Sequence, residues 1–151
     1  MQPIRIAICA LTFTAATALH VSGVSASSNV THTQYLRKAN AVCARLSTAR
    51  KAAAKQWFPQ GVDKPPTIEQ LQGFYAAFGP TFTKYVEELA AVTPARTDRA
   101  KVDKFMIGAH AAAAQIVKAG HDKALAQHLL DTDEAELHTD DQAMAKFGYK
   151  C

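Results

Sequence analysis

Residues 67–92 read TIEQLQGFYAAFGPTFTKYVEELAAV. Leu71, Tyr75, Phe78, Phe82, Tyr85 and Leu89 recur here at alternating steps of four and three. That period lines one face of an α-helix with large apolar side chains and cannot be laid on a strand, whose faces alternate every second residue. Thr67 and Gln70 stand at capping-box spacing, which fixes the helix start. Gly79 and Pro80 fall in the middle. A proline there lacks the N–H that its turn needs, so the sequence predicts a helix kinked or split near Pro80.

The same period continues on both sides. Upstream, Tyr35, Ala39, Val42, Leu46, Ala49 and Ala53 form one stripe and predict a helix over 31–57, capped by Thr31 or Thr33. FPQGVDKPP (58–66) then interrupts the pattern with three prolines and a glycine and reads as a loop. Downstream, TPARTD (93–98) marks a turn, and Val102, Phe105, Ala109, Ala113 and Ile116 carry a third helix over 98–119, with Gly120 as its stop. A fourth segment over 122–147 holds Leu125, Leu129, Leu130, Leu137, Met144 and Phe147. Its middle, DTDEAELHTDD (131–141), is poor in apolar residues, so a bend or fraying is expected there. No stretch after residue 26 alternates as a strand would. The expected fold is all-α: an antiparallel four-helix bundle with short connections, in which the alanines at 111–114 let a neighbouring helix come close.

A chain of 151 residues makes one domain. With 48% hydrophobic and 20% charged residues it is neither disordered nor a multispan membrane protein. It begins MQPIRIAICALTFTAATALHVSGVSASS, with Arg5 followed by an uncharged run from Ile6 to Leu19 and small residues at Val24-Ser25-Ala26. That is the pattern of a secretory leader, expected over 1–26, with a single helical domain over 27–151. The apolar run is short for a membrane span, which makes an uncleaved anchor the weaker alternative. Cleavage removes Cys9 and leaves Cys43 and Cys151. In an oxidising compartment, two remaining cysteines imply one bridge, which would clasp the C-terminus to the first helix.

YLRKANAVCARL (35–46), LAAVTPARTDRAKVDKFM (89–106) and AMAKFGYKC (143–151) together resemble a set of small secreted or membrane-anchored helical proteins of actinobacteria. Tyr35, Ala39, Asn40 and Cys43 match that set's first motif, and Leu89 and Pro94 match part of its second. Phe147, Gly148, Tyr149 and Cys151 match its third, with aromatic residues where leucines are usual. The turn carries one proline instead of two, and the fourth helix is more acidic. The resemblance implies a helical bundle with a Cys43–Cys151 disulfide and implies no activity.

Few residue patterns point to chemistry. His110, His121, His128 and His138 lie in the last two helical segments, and His121 and His128 are seven apart. The residues three before each histidine after the leader are Asn29, Ile107, Lys118, Leu125 and Ala135, so the Glu-x-x-His of di-iron bundles is absent. So are a Cys-x-x-Cys-His haem site and a His-Glu-x-x-His zinc site. Glu134 and His138, four apart in the acidic stretch, form a pair spaced to share a zinc. The stretch lacks the glycine and final glutamate of a calcium loop, and a solvated acidic face accounts for it. Phe78, Phe82 and Tyr85 are the candidates for an apolar ligand site opened by a kink at Pro80, against the ordinary reading of the stripe as core. No Gly-x-Ser-x-Gly elbow or glycine-rich phosphate loop occurs.

Charge is unevenly placed. The first helix carries Arg37, Lys38, Arg45, Arg50, Lys51 and Lys55 and no carboxylate, whereas residues 120–146 carry seven carboxylates and two lysines. If these two helices are neighbours, their opposite charges favour the pairing. The whole chain is only +4, and an exported protein of modest charge is not expected to bind nucleic acid. The sequence therefore predicts a monomeric, cofactor-free, non-enzymatic protein of the cell envelope or exterior. Its expected partners are anionic cell-envelope polymers or another envelope protein. The alternatives are a carrier of a small apolar ligand, haem or metal, and an enzyme whose site is assembled from residues unlinked in sequence.

Overall fold

A computed structural model describes residues 30–59, 61, 65–132 and 137–151, with the side chains of 137–141 excepted. The expected leader, residues 1–26, lies outside the described residues. The described elements are all helical: α1 (His32–Trp57), α2 (Ile68–Ala90), α3 (Arg99–Ala119), α4 (Lys123–Thr132) and α5 (Leu137–Phe147). The segment expected as a fourth helix thus holds two helices, and residues 133–136 between them lie outside the described residues.

Local signals set the helix starts. Thr31 Oγ1 accepts from the Gln34 N–H at 3.2 Å while the Gln34 side chain accepts from the Thr31 N–H at 2.9 Å. Thr67 and Gln70 make the same reciprocal pair. Each box satisfies backbone donors that a helix N-terminus otherwise leaves open. At α4 the Asp122 carboxylate takes the Leu125 N–H at 3.0 Å.

The centre of the molecule is α2. Leu71, Phe74, Tyr75, Phe78, Phe82, Val86 and Leu89 are all buried on it. Phe74, Phe78 and Phe82 stack in sequence, with ring centroids 5.3 and 5.9 Å apart. α1 and α3 pack on α2 from two sides, and α4 packs on α2 and α3. Trp57 of α1 meets Gly73 while Arg45 meets Glu88, so α1 and α2 run antiparallel. Val117 faces Gly79 and Gly120 faces Ala76, so α2 and α3 also run antiparallel.

The α2 helix is continuous through Pro80 and does not split. Pro80 and Ala76, the residue whose carbonyl loses its helical donor, are both exposed. Thr83 Oγ1 donates to the Gly79 carbonyl at 3.0 Å and fastens the turn after the proline.

The α2–α3 approach is set by two small residues. A Cβ on Gly79 would lie 3.1–3.3 Å from Val117, and one on Gly120 would lie 2.7 Å from the Ala76 backbone. Gly120 does end α3, but at φ −60°, a conformation open to any residue. It is glycine because α2 lies against it. Of the alanines at 111–114, Ala112 and Ala113 are in the core.

α1 packs on α2, and α5, the second half of the acidic segment, meets α1 through Phe147, whose ring lies against His32 and Tyr35. Residues 133–136 and the side chains of 137–141, which hold most of the carboxylates, lie outside the described residues. The apolar stripe of α1 is drawn to the aromatic face of α2, whose burial is worth far more than exposed ion pairs. The α4 helix meets α2 on its other side, where Lys123 Nζ lies 2.8 Å from Glu69 and holds that carboxyl below its usual range.

Candidate interaction surface

Two features stand apart from simple core packing: a clasp at the C-terminus and a cationic face on α1.

The clasp begins where α5 ends. Gly148 adopts φ +111°, a conformation that disfavours residues with a Cβ, and turns the chain back along α1. Asn40 then holds the tail with both ends of its amide. Its Nδ2 donates to the Gly148 carbonyl at 3.0 Å, and its Oδ1 accepts from the Lys150 N–H at 2.9 Å. One side-chain amide thus pairs with two backbone groups as a neighbouring strand would. Tyr149 between them is 5% exposed and its hydroxyl bonds that of Tyr35. Burial pushes both phenols above their ordinary range, with Asp98 adding to the effect. Cys151 closes the clasp on Cys43, with the Cα atoms 4.5 Å apart and the two residues separated by 108 positions.

Next to the clasp, His32 Nδ1 lies 2.7 Å from Asp98 Oδ2. A carboxylate only accepts, so Nδ1 carries the hydrogen. The pair joins the starts of α1 and α3, and the imidazole edge meets Phe147 with centroids 5.0 Å apart. Phe105, Phe147, Tyr35 and Tyr149 complete an aromatic knot around it. Asp98 precedes α3 but makes no side-chain cap there, because its carboxylate faces His32 instead. Sequence patterns did not single out His32–Asp98, since the partners lie 66 residues apart. Their shared position at helix starts was the only hint.

The outward face of α1 lies opposite Tyr35, Ala39, Val42 and Cys43. Arg37, Lys51 and Lys55 are exposed on it, and Lys38 and Arg45 are exposed on its flank. Arg45 reaches Glu88 of α2 at 2.6 Å and lies over the Tyr85 ring at 5.9 Å. The Glu88 hydrogen bond raises its already high pKa further. Among the described residues, no carboxylate is within ion-pair distance of Arg37, Lys38, Lys51 or Lys55. Ala41, Ala44, Thr48 and Ala52, between these cations, are exposed and short.

The other sequence candidates are dispersed. Phe78 and Phe82 are 2% and 5% exposed within the α2 stack, and Tyr85 is half-buried beneath Arg45. The Glu134–His138 pair rests on side chains outside the described residues. His110, His121 and His128 are exposed. Among the described residues no three His, Cys, Asp or Glu side chains are grouped as a metal site requires, and no helix is long and apolar enough to cross a membrane.

No protein-family model matches this chain, and neither curated proteins nor solved structures supply a match.

Proposed function

We propose that this is an exported, monomeric, non-enzymatic protein that binds anionic polymers of the cell envelope through the outward face of α1. The observation that carries the proposal is the set of four exposed cations, Arg37, Lys38, Lys51 and Lys55, on a helix without a carboxylate. A one-signed face raises the local concentration of opposite charge and speeds encounter. The clasp supports the reading, because a stapled tail suits an oxidising exterior. So does the leader-like start of the chain and the likeness of its Tyr35–Cys43 and Phe147–Cys151 motifs to small secreted actinobacterial proteins. The scaffold is read as an antiparallel bundle of α1, α2 and α3 completed by the α4–α5 segment. Burial of Phe78 and Phe82 in the aromatic stack weighs against the carrier alternative.

The test is binding of the chain from residue 27 onward to long-chain inorganic polyphosphate at low salt, followed by light scattering or anisotropy. The wild type is expected to bind, and R37E/K38E/K51E/K55E is expected not to. Equal binding by the two proteins would sink the proposal.

A further inference from the structure

The cations on α1 are arranged along a line rather than gathered at a point. Arg37 and Lys55 are eighteen residues apart, five helical turns, and so share one side of the helix. At about 1.5 Å per residue they are separated by roughly 27 Å along the axis. Lys38, about 100° round the helix from Arg37, flanks one end of this line, and Lys51 sits one turn before Lys55 at the other. Arg45, midway, is shared with Glu88. The side chains between the two ends are Ala41, Ala44, Thr48 and Ala52, all exposed, and none of them blocks an approach to the helix.

A compact anion placed at either end meets two cations and leaves the other two about 20 Å away, beyond a Debye length at physiological salt. Only an extended polyanion engages both ends at once. Three of these four exposed cations are lysines, which act as point charges without the fork geometry that arginine offers a single carboxylate. Such a face rewards charge density along a chain. A phosphodiester polymer supplies it, because its phosphates stay ionised at every pH a cell envelope meets.

We infer that α1 is a track for a linear phosphate-bearing polymer, which lies along the helix and contacts the Arg37–Lys38 and Lys51–Lys55 pairs simultaneously. This rests on the docking proposed above and specifies the shape of the ligand.

Salt dependence of binding tests the inference. Four contacts on a flexible polyanion predict a slope of log K against log salt of about −3, taking ~0.7 per contact. Long-chain polyphosphate is expected to give that slope, and tripolyphosphate a slope of about −1.4, for two contacts. R37Q/K38Q and K51Q/K55Q are each expected to bring the long-chain slope down to about −1.4. These are exposed polar replacements, and an unchanged helical circular dichroism spectrum verifies the fold. Equal slopes for the short and long anions overturn the track while leaving docking intact. So does a result in which one end pair carries all the binding and the other none. Absence of any binding at low salt overturns both proposals.

Discussion

Tyr35 and Tyr149 lie 114 residues apart in the chain, and their hydroxyls form one hydrogen bond inside the core. Tyr35 belongs to the first turn of α1 and Tyr149 to the tail after α5, so this bond ties the two ends of the described chain together. Among the described residues each hydroxyl has the other as its partner, and both side chains are buried. Removing one hydroxyl strands the other. Y35F and Y149F should each lose about 1–3 kcal/mol, the cost of an unsatisfied buried hydroxyl, whereas Y35F/Y149F should recover much of that loss. Urea unfolding of the three variants measures the cycle, and additive losses would show that the two hydroxyls are not coupled.

The same pair predicts alkaline instability. Both phenols titrate above their ordinary value in the folded chain and near 10 in the unfolded chain. Above about pH 10 the unfolded state therefore releases protons that the folded state keeps, and stability falls as pH rises. The contribution is fully present below pH ~10. Beyond that it declines by up to about 1.4 kcal/mol per pH unit for each tyrosine until the folded phenols themselves ionise. Denaturant midpoints measured at rising pH should decline in wild type and decline less steeply in Y35F/Y149F.

Asn40 should matter more than its half-exposed position suggests. N40A removes two hydrogen bonds to the tail backbone, each worth about 1 kcal/mol. N40D keeps the acceptor for Lys150 but loses the donor to Gly148, and should fall between. Hydrogen exchange at the Lys150 amide reports the effect directly, since that N–H is the one Asn40 accepts.

Reduction of Cys43–Cys151 should destabilise the protein without releasing the tail. Closing a loop of this length is worth up to about 4.7 kcal/mol in the chain-entropy model. Asn40 and Tyr149 hold the tail by contacts that do not involve sulfur. The reduced protein should thus melt earlier yet keep Tyr149 protected from solvent. Peptide mapping of the purified protein without reductant should recover the Cys43–Cys151 peptide pair, and free thiols at both positions would contradict it.

G120A should cost more than G79A. A methyl at 120 would press on the Ala76 backbone at 2.7 Å, whereas one at 79 meets Val117 at 3.1 Å or more. Overpacking of this kind typically costs about 1–3 kcal/mol, and thermal melts of the two variants give the order.

Helix identity was legible in the sequence because it follows from local periodicity. The Leu71–Leu89 stripe, the Thr67–Gln70 box, the choice of Thr31 or Thr33 as first cap and the loop prolines each act within a few residues, and the helices begin and end close to where these signals stand. Two half-cystines with no other partner after the expected leader also indicated the clasp. Tertiary structure alone decided which helices meet. The aromatic face of α2 draws in α1, α3 and α4, and Phe147 of α5 lies against His32 and Tyr35 of α1. It alone decided that α2 runs unbroken through Pro80, which stands at an exposed position. It also gave Gly120, the end of α3, a close contact with α2, and joined Asn40 to Gly148 and Lys150 and His32 to Asp98. These contacts span tens of residues or more, and no pattern in a linear sequence encodes a distance that only the folded chain creates.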